Sequence, residues 1–185
     1  MVRNEDFRAL GTLVQGLERM ATLELRPPPM RPAATVTLIS VLDELRVLIE
    51  SDYRDSGIEI VWDVSDALPP AFADRYGLLQ VFLNLARNSQ RAMADSKRKR
   101  LTIRGSVEGG SIVIRFRDTG VGIAAAENLF RPFSSSADSS GLGLYVSRAV
   151  LRVFGGDLIY EPRTPGCCFA VVLPAAEDRE EAASV

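Results

Sequence analysis

Asp118, Gly120 and Gly122 stand together in the stretch "DTGVGI" (118–123), directly after an alternating apolar run. A carboxylate at a strand's end that faces a pocket can accept a hydrogen bond from the exocyclic amine of adenine. Guanine presents a carbonyl oxygen at the matching position and is repelled. Glycines beside the carboxylate remove side chains, so that a flat base can lie against the backbone. Upstream, "NLARN" places Asn84 and Asn88 one helical turn apart, and Arg91 comes about one turn later on the same stripe. Asn is a poor helix former, roughly 0.5 kcal/mol worse than Ala, and a plain solvent face more often carries Glu, Lys or Gln. Two amides and a guanidinium can instead hold a metal-phosphate group, because an Asn oxygen ligates Mg²⁺ while phosphates and waters supply the other ligands. Downstream, Gly141 and Gly143 flank the start of an amphipathic helix, where free amides and the helix dipole favour an anion.

Each stretch also has a plainer account: a solvated helix face, an Asp-Thr-Gly turn, an ordinary helix start. "SSGLGL" (139–144) is no P-loop, since no Lys-Ser/Thr comes after it, and it lacks the third glycine and preceding strand of a dinucleotide fingerprint.

The elements that must position these residues are set by periodicity. Phe7, Leu10, Val14, Leu17 and Ala21 form a heptad-like seam, so 4–25 is expected to be a helix that pairs with another copy or packs on the rest of the chain. "RPPPMRP" (26–32) ends it. A second helix is expected from Thr37 as N-cap to about Ser56, with Gly57 as stop, then a strand over 58–64 and a loop over 65–74. Asp74 caps a long helix reaching about Ser96. Strands 101–107 and 111–117 make a hairpin around "EGG". A short helical stretch (124–130), a serine-rich loop (134–140), a helix (142–154) and strands 157–161 and 167–173 complete the chain. The expected fold is α+β, a two-layer sandwich with helices on one face of a mixed sheet.

Composition narrows the function. The chain has 185 residues, 46% of them hydrophobic, enough for a real core. A net charge of -2 argues against a general nucleic-acid binder. No apolar run approaches the roughly 20 residues that cross a bilayer, and the first residues carry acids rather than a signal sequence. Cys167 and Cys168 are adjacent in a strand and point to opposite faces, which excludes a disulfide framework and fits a reducing, cytoplasmic setting. There is no histidine, so no imidazole base, ligand or phosphoacceptor lies within the chain.

Taken in order, "NLARN", "DTGVGI", "LFRPF" (129–133) and "GLGL" (141–144) resemble the N, G1, F and G2 boxes of the ATP-binding catalytic domain of bacterial sensor histidine kinases. That family lies in the superfamily shared with gyrase and other Bergerat-fold ATPases. The likeness spans about 33–174. It implies an N-terminal helix (1–26) similar to the second helix of a dimerisation bundle, a linker (27–32), a kinase domain (33–174) and a polar tail (175–185). It further implies ATP and Mg²⁺ as cofactors, with Asp118 on the adenine amine, Asn88 on the metal, Asn84 lining the same face and Arg91 at the phosphates. Gly120, Gly122, Gly141 and Gly143 would admit the nucleotide, with Ile123 and Leu142 beside them, while Phe130 and Phe133 anchor a lid that holds serines 134–136, 139 and 140. The implied partners are a histidine-bearing dimerisation helix and a response-regulator receiver domain, with a homodimer through 4–25, and neither nucleic acid nor a membrane segment.

Departures from the pattern are equally specific. The lid has no lysine, Ser139 stands where many relatives have glycine, and Cys167 stands where they often have threonine. Asn84 replaces the Glu that gyrase-type relatives use as general base, and an amide cannot accept that proton. The chain looks cut between the two helices of the bundle. An anti-sigma-factor type of serine kinase and a non-catalytic scaffold remain the alternatives.

Overall fold

Helix α1 (Leu38–Asp55) buries Leu38, Val41, Leu42, Leu45, Ile49 and Tyr53, which recur at steps of three and four. These positions come from a computed structural model that describes residues 33–124, 126–132 and 142–176. The expected helix 4–25, the linker, Phe133, the serine-rich loop, Gly141 and residues 177–185 lie outside the described residues. The described residues fall within one compact unit, Arg31–Val185.

Thr37 is the N-cap of α1, as expected, but its side chain makes no capping bond. The Ser40 hydroxyl instead donates to the Thr37 carbonyl at 2.7 Å. Gly57, at φ +66°, ends the helix in the left-handed region. Strand β2 (Glu59–Asp63) comes next. The expected loop 65–74 contains a short strand, β3 (Ala71–Ala73), antiparallel to β1 (Ala34–Val36) in a small separate ribbon. Three residues are too few for alternation to announce a strand.

Helix α2 (Arg75–Ala92) starts as expected: the Asp74 carboxylate accepts from the Tyr76 amide at 3.2 Å and the Gly77 amide at 3.1 Å. It ends before Ser96 because the Ala92 carbonyl accepts from the Val121 amide at 3.1 Å, so the loop after Asp118 ties off the helix. Strands β4 (Arg100–Glu108) and β5 (Ser111–Asp118) form the expected hairpin. Gly109 and Gly110 both have positive φ, as a two-residue turn between twisted strands requires. Of the expected helix 124–130, the described residues form only a 3₁₀ turn at Ala126–Asn128. Helix α3 (Gly143–Val153) and strands β6 (Asp157–Pro162) and β7 (Cys167–Pro174) close the fold.

The main sheet runs β2-β4-β5-β7-β6, with β2 and β4 parallel and the other pairs antiparallel. The parallel pair demands a crossover, and α2 supplies it. The mixed sheet with its helical layer is the expected two-layer sandwich. Ile112, Ile114 and Phe116 of β5 and Phe169, Val171 and Leu173 of β7 join one core with Leu45, Phe82 and Leu85 of the helices. Phe82 and Phe116 stack tilted at 5.5 Å. α2 packs against both other helices. The Tyr53 hydroxyl donates to the Ala86 carbonyl at 2.6 Å and pins α1 to α2, and burial pushes its pKa up.

On the other flank Arg148 of α3 donates to both oxygens of Asp157, at 2.7 and 3.0 Å. That bidentate bond holds the Asp157 carboxyl well below the usual carboxylate range.

Both ties can be tested by stability. Asp74→Ala leaves two helix amides without their acceptor and is expected to cost about 1 kcal/mol, read as a melting midpoint lower by about 2–4 °C. Because Asp157 titrates lower in the folded chain, its pair with Arg148 favours folding fully above the ordinary carboxyl pKa of 3.8, and the benefit fades as pH falls through the depressed value. Asp157→Asn is therefore expected to melt below the parent chain at about pH 7, with the gap narrowing below about pH 4. A gap of constant size across that range in thermal scans would contradict the assignment.

Candidate nucleotide site

Asp118 ends β5, in the middle of the sheet, and only 1% of it is exposed. A carboxylate taken from water is costly unless hydrogen bonds replace the water. Here Oδ1 accepts from the Gly120 amide at 2.9 Å and the Cys167 amide at 3.3 Å. Oδ2 accepts from the Cys167 thiol at 3.0 Å. Burial first, and then the charge of Asp118, push the Cys167 thiol far up, so it stays a protonated donor. Gly166 lies against the Asp118 carbonyl with φ +81°, and a Cβ there would collide with that backbone. The turn before β7 can close over the carboxylate only as glycine.

The loop beyond Asp118 docks on the end of α2. A Cβ at Gly120 would lie 2.6 Å from the Ala92 carbonyl oxygen, so this glycine serves the packing of loop on helix as well as lining the cleft. Gly122, at φ +74°, faces the Gly166 carbonyl. Ile123 is half-buried against the core.

One helix face connects this loop to α3. Asn84, Asn88 and Ala92 succeed one another at steps of four, each about 6 Å along the axis. The Asn84 amide nitrogen donates to Ser147 of α3 at 3.0 Å. Its oxygen lies against Gly143, where any Cβ would clash. The N-terminus of α3 is thus held at Asn84, and the Asp118 loop at Ala92. Asn88 sits midway, half-buried, and its amide has no hydrogen-bond partner among the described residues. Arg91 is exposed, one turn on, and has no ion pair among them. Leu142 caps α3 without a side-chain bond, so no side chain caps the first-turn amides among the described residues.

A cleft of about 570 Å³ opens beside Asp118, lined by Gly120–Ala124, Tyr160 and the turn Pro162–Gly166. Asp118 itself, Asn84, Asn88, Arg91, Phe130, Leu142 and Gly143 are not among its lining residues. Phe130, expected to anchor a lid, is half-buried with the Arg148 guanidinium 4.5 Å over its ring. Since Arg148 is itself clamped by Asp157, Phe130 rests on a fixed cation. Phe133 and Gly141 lie outside the described residues. Sequence reasoning missed Tyr160 and Gly166. The Pro-Gly pair before Cys167 signalled a turn, but nothing marked it as the cover of Asp118.

No group of three or more His, Cys, Asp or Glu that could hold a metal occurs among the described residues. No helix among them is long and apolar enough to cross a membrane.

Known proteins are similar to this chain in sequence and in fold. Residues 73–177 match the family model described as histidine kinase-, DNA gyrase B- and HSP90-like ATPase. The chain is 32% identical to the C4-dicarboxylate transport sensor protein DctS of Rhodobacter capsulatus over 151 residues, 78% of this chain and 23% of DctS. It is 30% identical to the sensory histidine kinase/phosphatase NtrB of Rhizobium leguminosarum bv. phaseoli over 183 residues, 90% of this chain and 47% of NtrB. The chain thus spans less than half the length of either relative. The nucleotide-free catalytic domain of histidine kinase ThkA shares the fold, with a TM-score of 0.71 at 24% identity, covering 78% of this chain and 99% of that one. This chain belongs to the histidine kinase-, DNA gyrase B- and HSP90-like ATPase family, and its relatives are two-component sensor kinases.

Proposed function

We propose that this chain binds Mg-ATP between the Asp118 loop and the N-terminus of α3, and presents the γ-phosphate to a histidine carried outside the chain. The observation that carries the reading is the single face of α2, on which Asn84 touches α3, Ala92 touches the Asp118 loop, and Asn88 stands unpartnered between them among the described residues. A purine held at one end and a phosphate tail at the other would span that distance.

Each residue then has a task. Asp118 accepts from the adenine amine with the acceptor capacity left on its oxygens. Gly120, Gly122 and Ile123 form the wall of the base slot. The open amides of α3, at Gly143 after Leu142, face the phosphates, and Gly141, outside the described residues, keeps the role that the resemblance implies. Arg91 adds a positive charge on a long side chain. The Asn88 oxygen fits Mg²⁺, a hard cation that takes one or two protein oxygens and fills its shell with phosphate and water. When bound, the metal would neutralise the charge that builds on the phosphates.

Asn84 decides the fate of the bound nucleotide. Its amide is engaged by Ser147 and cannot take a proton from water, so bound ATP waits for a better nucleophile. The transfer is then governed by positioning rather than by a base in this chain. The chain contains no histidine, so the acceptor belongs to another segment or molecule. Residues 4–25, outside the described residues, fit the second helix of a dimerisation bundle that would bring such a segment close, in a cytoplasmic kinase that passes phosphate to a receiver domain.

Asp118→Asn tests the centre of this proposal. The carboxamide keeps the size of the side chain but turns an acceptor into a donor facing the adenine amine. Affinity for Mg-ATP is expected to fall at least about 30-fold, the scale of losing a charge-assisted hydrogen bond. An unchanged affinity by calorimetry, in a variant with an unaltered circular dichroism spectrum, would refute it. Asn88→Ala is expected to remove the dependence of ATP binding on Mg²⁺, and a titration with and without the metal checks it. A variant whose binding still responds to Mg²⁺ as the parent does would exclude Asn88 as the ligand.

A further inference from the structure

Tyr160 occupies a place that the recognition of adenine by Asp118 leaves unexplained. It lies on β6, an edge strand, paired in register with Phe169 of β7. Their rings meet at 5.6 Å with a 48° tilt, and Phe169 is buried, so Tyr160 is braced from the core side. The ring nevertheless remains half-buried and lines the cleft with Ile123 and the backbone of Gly120 and Gly122. Its hydroxyl has no hydrogen-bond partner among the described residues. Burial raises the pKa of that hydroxyl.

Val, Ile and Tyr all suit an edge strand, and of these only Tyr brings an aromatic face. A rigid ring braced behind and open in front presents a flat, polarisable surface to whatever enters. Such a surface prefers a planar heteroaromatic partner in an offset stack. The slot formed with Ile123 lies beside the carboxylate that would read the edge of a purine.

We propose that Tyr160 is a base-recognition residue, whose ring stacks on the purine while Asp118 bonds its amine. This rests on the nucleotide reading above. It adds a base-side contact that does not depend on phosphate or metal, so adenosine alone would carry much of the affinity.

The test uses adenosine and Mg-ATP as probes with the whole chain and its Tyr160→Phe and Tyr160→Leu variants. Leucine keeps the apolar packing, and thermal melts check that it folds. Tyr160→Leu is expected to weaken both ligands about tenfold, the scale of a base–aromatic stack, while Tyr160→Phe stays within about threefold. The adenine H2 and H8 resonances are expected to shift upfield on binding to the parent and to Tyr160→Phe, and not on binding to Tyr160→Leu. Parent-like affinity and shifts in a folded Tyr160→Leu would overturn the stacking role and leave the nucleotide site standing. Failure of the parent chain to bind either probe would overturn the site and the stack together.

Discussion

A carboxylate buried at the end of the central strand is the constraint that shapes the site. Asp118 has almost no contact with water, and its oxygens are met by two amides and a thiol of its own chain. Meeting them dictates the local backbone. The chain must turn back at Gly120 to offer its amide, and β7 must begin at Cys167 to offer another amide and its Sγ. Gly166 must be glycine because the backbone passes directly over Asp118. A carboxylate has about four acceptor positions, so these three bonds leave room for about one more donor. A site so nearly saturated by the protein itself would be selective for a ligand with one well-placed donor.

Helix α2 links that arrangement to the start of α3. Its last carbonyl ties down the Asp118 loop, and two turns earlier Asn84 ties down α3. The distance between the two ends is therefore set by a rigid helix rather than by loops. This accounts for asparagines in a helix interior that propensity disfavours. Asn84 is consumed by a helix-to-helix bond, and Asn88 is left free among the described residues. In the proposed reading, an amide at Asn84 also withholds the general base, which would favour holding a nucleotide over hydrolysing it. Ser147 completes the bond, and in a buried setting its hydroxyl needs that partner as much as Asn84 does.

Much of this was legible in the residues. The period of α1 and α2, the Asp74 cap, the Gly109–Gly110 hairpin and the placement of "DTGVGI" after a strand are local signals, and local chemistry produces them. The order of the four boxes pointed to the family. The hidden features depend on contacts distant in sequence. Ribbon β1–β3 has strands of three residues and exists only through pairing. Helix α2 stops at Ala92 because a loop some thirty residues later takes its carbonyl, as the Val121 bond shows. Gly120 read as an opening for a base, yet its space is also claimed by Ala92. Tyr160 carries no motif, and its position beside Asp118 arises from the pairing of β6 with β7.

The account turns on one end of a nucleotide being fixed by Asp118 and the other by the amides of α2 and α3. A crystal structure of the chain with Mg²⁺ and a non-hydrolysable ATP analogue measures this directly. The expected result puts the adenine amine about 3 Å from Asp118 Oδ2 and the metal about 2.1 Å from the Asn88 side-chain oxygen, with the phosphates at the start of α3. Density for the analogue elsewhere, or a base in the cleft with Asn88 turned away from metal and phosphates, would contradict it.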